Sequence, residues 1–133
     1  MNARHETSEG RLRILVGDDH EDSALSLALV LESMGCGVRT ATDGRAALEA
    51  ALEFRPDAVL LDIGMPSLDG YEVCRRIRAE TGWGNEVVLL ALTGRGHDED
   101  KRRSLEAGFD GHLVKPIDPD AILRLVRSVR SAR

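Results

Sequence analysis

The sequence has no apolar run longer than a β-strand needs. The longest, Val87-Val88-Leu89-Leu90-Ala91-Leu92, is far short of the roughly 20 residues that cross a bilayer. Its first residues, Met1-Asn2-Ala3-Arg4-His5-Glu6, are polar with no apolar core, so no secretory signal is expected. Cysteine is scarce: Cys36 and Cys74 show no metal-binding or redox spacing, read as small packing residues, and fit a reduced, cytoplasmic setting. A basic excess is also missing. Eighteen Lys and Arg against 23 Asp and Glu leave a net charge of −5, which argues against a domain whose main work is holding nucleic acid. What is present is ordinary for a globular chain: 133 residues, 42% hydrophobic and 31% charged, enough for one domain with a two- or three-layer core.

Residues 1–11 are polar and read as a flexible lead-in to a domain over 12–133. Beyond them, short apolar runs alternate with longer segments of helical period. Leu12–Val16 reads as a buried strand ending at Gly17-Asp18-Asp19. Ala24, Leu27, Ala28, Leu31 and Met34 fall at helical spacing, with Gly35 and Gly37 as the stop. Val38–Ala41 is a second strand. Asp43 is placed to cap a helix over Gly44–Phe54, which ends ahead of Pro56. Ala58-Val59-Leu60-Leu61 is a third strand with Asp62 at its end. Asp69 can cap a helix carrying Tyr71, Val73, Cys74 and Ile77. Val87–Leu92 is a fourth strand ending at Thr93. Asp98, Glu99 and Asp100 suit the positive start of a helix running to Ala107, with Gly108 as its stop. His112–Val114 is a fifth strand ending at Lys115. Asp118-Pro119 opens a last helix with an apolar face of Ile122, Leu125, Val126 and Val129.

Five apolar strands alternating with five helices predict an α/β fold, a parallel sheet covered on both faces. Ligands of such sheets bind beyond the C-terminal strand ends. The polar residues of interest all fall there: Asp18 and Asp19 after strand one, Asp62 after strand three, Thr93 after strand four, Lys115 after strand five. Carboxylates gathered this way repel, by about 4 kcal/mol per pair at about 4 Å and an effective dielectric near 20. They need a cation. Oxygen donors favour a hard divalent ion, and Mg²⁺ in particular accepts substrate phosphate oxygens. Lys115 and the Thr93 hydroxyl can each donate to a phosphate. The set suits phosphoryl chemistry with an aspartate as nucleophile.

Asp18-Asp19, Leu61-Asp62-Ile63-Gly64-Met65-Pro66, Asp69-Gly70-Tyr71-Glu72, Leu92-Thr93-Gly94 and Val114-Lys115-Pro116 together resemble the signature of two-component response-regulator receiver domains, over roughly residues 12–130. The resemblance implies a flavodoxin-like (βα)5 fold with strand order 2-1-3-4-5. It implies Asp62 as phosphoacceptor, charged from a histidine of a kinase or phosphotransfer protein. Mg²⁺, for which Mn²⁺ could substitute, would be held by Asp18, Asp19, Asp62 and the backbone carbonyl of Gly64. Thr93 and Lys115 would contact the phosphate, Gly94 would leave room for it, and the Lys115–Pro116 peptide would be cis. Phosphorylation would draw Thr93 inward and reshape the face made by the fourth helix, fifth strand and last helix. Gly64 and Arg95 flank the site and are candidates for setting the phosphate lifetime.

The sequence departs from the family pattern where many receivers carry Tyr or Phe, three residues before the lysine; here His112 stands. A half-exposed ring filling the same space is the plainer reading, and a pH-sensitive switch the sharper one. His20 reads as an exposed loop residue rather than a phosphorylated histidine or metal ligand, and His97 as a helix-start residue. Arg124, Arg127 and Arg130 read as a solvated helix face, as do Arg102 and Arg103. Trp83, between Gly82 and Gly84, reads as an exposed loop residue that hints at a contact surface. A phosphatase of the haloacid-dehalogenase type is disfavoured, because Gly64 stands where its second aspartate belongs. A phosphorylation-independent binding module typically loses an acidic, threonine or lysine position, and all are kept here. A nucleotide-binding flavodoxin-like protein lacks support, since no glycine-rich loop follows strand one. No DNA-binding or catalytic output segment fits after the last helix, so output is expected through a protein partner, a phosphate relay or another polypeptide region absent from this sequence, from a monomer without membrane insertion. Both a stand-alone regulator and the receiver of a hybrid histidine kinase fit; Ala91–Gly96 and His112–Pro116 favour the second.

Overall fold

The computed structural model describes residues 11–94 and 98–133, with the backbone alone for 98–101. The expectations for most of the 1–11 lead-in, and for Arg95 and His97, lie outside the described residues. Strands β1 (Arg13–Gly17), β2 (Gly37–Ala41), β3 (Ala58–Asp62), β4 (Val88–Thr93) and β5 (Gly111–Val114) form one sheet. All pairings are parallel, in the order β2-β1-β3-β4-β5. Between them run α1 (Glu21–Ser33), α2 (Gly44–Phe54), α3 (Gly70–Arg78), α4 (Asp98–Ala107) and α5 (Pro119–Ala132). The family-implied strand order is the one observed. Strand limits differ from the sequence reading by a residue or so, as element ends usually do.

Strand residues alternate between two cores. Leu15, Val59, Leu61, Leu89 and Ala91 point to one face, against Ala47 and Ala51 of α2 and Val73, Cys74 and Ile77 of α3. Ile14, Val16, Ala58, Leu60, Leu90 and Leu92 point to the other, against Ala24 and Leu31 of α1 and Ile122 and Val126 of α5. Ile14, Leu15, Leu60, Leu61, Leu89 and Leu90 are fully buried. Each contributes about 1.5–3 kcal/mol by leaving water, so the apolar runs read in the sequence are the sheet's central strands.

The helix starts follow local chemistry. Asp43 accepts from the Ala46 amide at 2.8 Å, Asp69 from Glu72 at 2.9 Å and Asp118 from Asp120 at 3.0 Å, with Pro119 in the first turn. Such a cap is worth about 1 kcal/mol. Gly35 and Gly108 close α1 and α4 at φ +97° and +114°, a backbone region costly for any residue with a Cβ. Trp83 corrects the sequence reading. It opens a single helical turn, Trp83–Glu86, its indole N–H donates to the Pro56 carbonyl at 2.8 Å, and its ring packs against the α2–α3 core. A long-range hydrogen bond overrode the loop signal of the flanking glycines.

At the pole opposite the candidate site, the Asp110 carboxylate accepts from the Leu89 amide, Arg78 and Arg133 at 2.8–2.9 Å, clamping α3 and α5 to β4. No helix among the described residues is long and apolar enough to cross a membrane.

Candidate functional site

Parallel strands deliver their C-terminal ends to one rim, and the predicted residues gather there. Asp18 leaves β1 with its amide bonded to the Ala41 carbonyl of β2 at 3.0 Å. Asp62 closes β3, and the next amide, Ile63, bonds to Leu92 of β4. The Lys115 amide donates to the Thr93 carbonyl at 2.8 Å, fixing the exit of β5 beside that of β4. The Lys115–Pro116 peptide is cis.

The loop below Asp62 is tied down at several points. Gly44 donates to the Pro66 carbonyl, Ser67 Oγ donates to Asp43 Oδ1, and Gly70 donates to the Ile63 carbonyl. Met65 is buried against Leu61 and α2. Gly70 is required by space: a Cβ there would lie 2.9 Å from Ile63 Cα and 3.1 Å from the Asp62 carbonyl oxygen. Asp62 therefore leads from β3 into a loop whose backbone is held from both sides.

Lys115 Nζ donates to Asp18 Oδ2 at 3.2 Å and to Asp62 Oδ2 at 3.0 Å. The Asp18 side chain is only 5% exposed and that of Asp62 16%. Burial pushes the Asp18 carboxyl up. Hydrogen bonds from the His20 amide and from Lys115 outweigh it and hold the group below the usual carboxylate range. Burial likewise pulls the Lys115 ammonium down, but its pairs with Asp62 and Asp18 keep it above the ordinary lysine value. Gly64 donates its amide to Asp62 Oδ1 at 3.0 Å, so the residue expected to offer a carbonyl stands directly beside the acid.

Asp18, Asp19 and Asp62 thus come together, and His20 joins them: one donor atom from each of the four lies within 4.8 Å of all the others. The sequence predicts His20 as an exposed loop residue. Its ring is indeed 70% exposed, yet Nδ1 lies 3.3 Å from Asp18 Oδ1 and 3.2 Å from Asp19 Oδ1. A histidine directly after the acid pair was the available signal. Thr93 ends β4 buried, and its hydroxyl has no partner among the described residues. His112 is half-buried on β5, opposite Ala91 of β4.

Beside the acids a cavity of about 690 Å³ runs between α1 and the loop after β5, lined by Asp18, Leu27, Val30, Lys115, Ile117 and Pro119. The donor set fits a hard divalent ion. It offers carboxylate oxygens near one point, with an ammonium and a buried hydroxyl alongside, and negative charge that Lys115 alone leaves uncompensated.

A doubly wound five-stranded sheet with an acidic cluster, a lysine and a buried hydroxyl at its carboxyl rim defines an α/β domain with a polar site where such sheets bind their ligands. Comparison with known proteins agrees. Residues 14–127 match the response regulator receiver domain, and the chain belongs to that family. It is 41% identical over 118 residues to response regulator MprA of Mycolicibacterium vanbaalenii, covering 89% of this chain and 50% of the relative. It is 39% identical, with the same two coverages, to DNA-binding response regulator MtrA of Mycobacterium tuberculosis. The chain therefore spans about half the length of these curated relatives. Among solved structures it is similar to the receiver domain of sensor histidine kinase PA1611 from Pseudomonas aeruginosa, with a magnesium ion coordinated in the active site cleft. The TM-score there is 0.81 at 31% identity, covering 91% of this chain and 98% of that one.

Proposed function

We propose that the chain is a phosphorylation-dependent switch in which Asp62 takes a phosphoryl group from the phosphohistidine of a kinase or phosphotransfer protein. The observation that carries this reading is Lys115, whose ammonium bridges Asp62 and Asp18 at 3.0 and 3.2 Å. A cation placed between two acids can follow a transferred phosphoryl group without leaving its second partner. In the reaction a carboxylate oxygen of Asp62 forms the new O–P bond while the P–N bond to the donor imidazole breaks, its electron pair staying on nitrogen. Asp18, Asp19, Asp62 and the Gly64 carbonyl would hold Mg²⁺, which when bound neutralises charge on the phosphate oxygens. Lys115 donates to a phosphate oxygen as the group arrives, and the Thr93 hydroxyl donates to another. That second bond draws the end of β4 inward and changes the α4–β5–α5 face, where Leu105 and Val114 are exposed. Hydrolysis of the acyl phosphate resets the switch, so the domain turns over only its own modification.

The donor reaches Asp62 through the cavity beside α1. Leu25, Leu29 and Val30 on α1 and Met34 just past its end are four of the six exposed large apolar residues among those described, and the cavity opens onto Asp18 and Lys115. A partner packed there carries its histidine toward the acid. We place this domain in the cytoplasm and assign its own output to protein contacts; a DNA-binding function would belong to chain beyond the matched half of relatives such as MtrA. Incubation with acetyl phosphate and Mg²⁺ tests the reading. A one-phosphate mass increase that disappears in Asp62→Asn is expected. No labelling, or labelling that survives in Asp62→Asn, refutes it.

A further inference from the structure

We propose that His20 is a nitrogen donor to the divalent ion at this site, and that it biases the site away from Mg²⁺ toward first-row transition metals. This rests on the reading of the acid cluster as a cation site and adds to it a residue that sets which cation is preferred.

His20 stands at the N-cap of α1 with extended backbone, φ −91° and ψ 102°, and its side chain does no capping. Its amide instead donates to Asp18 Oδ1 at 3.0 Å, a tight turn that brings the ring back over the acids. Nδ1 then lies 3.3 Å from Asp18 Oδ1 and 3.2 Å from Asp19 Oδ1. Donors to an octahedral ion with bonds of about 2.1 Å are about 3 Å apart when adjacent and about 4.2 Å when opposite. The two histidine distances match adjacent positions to within a few tenths of an ångström. The donor atoms of Asp18, Asp19, His20 and Asp62 all lie within 4.8 Å of one another, a limit a few tenths of an ångström wider than the span of one such sphere. Among the described residues the ring has no hydrogen-bond or ion-pair partner other than these acids. At 70% exposure it can move the small remaining distance.

The donor type matters because Mg²⁺ is hard, prefers oxygen and keeps its waters, whereas imidazole suits Fe²⁺, Ni²⁺, Cu²⁺ and Zn²⁺. A ring held in the sphere strengthens the transition metals far more than Mg²⁺. If His20 only steadied the two carboxylates through an N–H bond, its loss would weaken every divalent ion alike.

Calorimetric titration of the full chain with MgCl₂, MnCl₂ and NiCl₂ at about pH 8, where an ordinary imidazole is neutral, separates these cases. His20→Ala and His20→Gln, checked for folding by circular dichroism, are expected to weaken Ni²⁺ by about tenfold or more while Mg²⁺ changes less than about twofold. Electron spin-echo spectra of the Mn²⁺-loaded protein should carry nitrogen modulation that both variants lose. An unchanged Ni²⁺ to Mg²⁺ affinity ratio, or no nitrogen modulation in the unsubstituted protein, overturns the role of His20 and leaves the cation site standing. Failure of all three ions to bind, or equal binding by Asp18→Asn, instead removes the cation reading.

Discussion

Replacing Asp19 by asparagine should make the ion-free protein more stable and the Mg²⁺-loaded protein relatively less so. Asp19 lies within 4.8 Å of donor atoms of both Asp18 and Asp62, yet Lys115 pairs only with the latter two. A like-charge pair at about 4.8 Å costs about 3.5 kcal/mol at an effective dielectric of 20 and about 0.9 kcal/mol in bulk water. The Asp19 side chain is 33% exposed, so the lower limit governs. With two neighbours, each partly neutralised by Lys115, the net relief comes to about 1 kcal/mol. For a domain of this size that raises Tm by about 3–5 °C. Mg²⁺ at about 100 times its Kd adds about 2.7 kcal/mol to the unsubstituted protein, and Asp19→Asn should forfeit much of this. Thermal melts by circular dichroism in chelator and in Mg²⁺ give the comparison directly. A Tm that falls in chelator would refute the reasoning, because the acids would then not be held together against their own repulsion.

A stability gap between the unsubstituted protein and Lys115→Met should stay flat through neutrality and close at both extremes of pH. Asp18 has a folded pKa below the ordinary 3.8, so its contribution is present above that value and is lost as pH falls through the folded one. Lys115 has a folded pKa above 10.5, so its contribution is complete below 10.5 and is lost as pH rises through the folded value; urea midpoints across pH would show a bend near 7 if this were wrong. Asp110→Ala strands the Leu89 amide and leaves Arg78 and Arg133 only their backbone carbonyl partners, and should lower unfolding free energy by about 1–3 kcal/mol in urea titrations, with Asp110→Asn recovering part. Leu29→Glu on α1 should slow phosphotransfer from a protein donor about tenfold while leaving acetyl phosphate labelling unchanged. Equal loss with both donors would remove α1 as the docking face.

The features legible in the sequence are those fixed by neighbours along the chain. Helix caps at Asp43, Asp69 and Asp118 depend on side chains reaching two or three residues ahead, and all three form. Apolar strands alternating with helices require a parallel sheet, and that topology brings Asp18, Asp62 and Lys115 to one rim. Periodicity says nothing about contacts made across the fold. Trp83 escapes local pattern because its partner, the Pro56 carbonyl, lies 27 residues away. The Asp110 clamp joins Arg78 and Arg133, at separations of 32 and 23 residues, and left no trace in any local pattern. His20 was close to legible. Its position after the acid pair was visible, but the turn that carries its ring over the acids appears only once Asp18 Oδ1 accepts the His20 amide.

Charge accounting explains why these parts belong together. Asp18, Asp19 and Asp62 bring three negative charges, Lys115 returns one, and two remain. A divalent ion balances that remainder, and no further lysine or arginine pairs with the cluster among the described residues. Phosphorylation would exchange the single charge of Asp62 for about two, leaving the balanced site one charge negative. Donors without negative charge can meet that excess at close range, among them the Gly64 amide already on Asp62 and, at the ends of the neighbouring strands, the Lys115 ammonium and the Thr93 hydroxyl. Lys115 already sits between Asp18 and Asp62 on two of its three N–H donors, so it can meet the phosphate with little movement. The buried Thr93 hydroxyl, with no partner among the described residues, is the group left to respond. On the reading proposed above, that difference makes Lys115 the anchor of the switch and Thr93 its moving part.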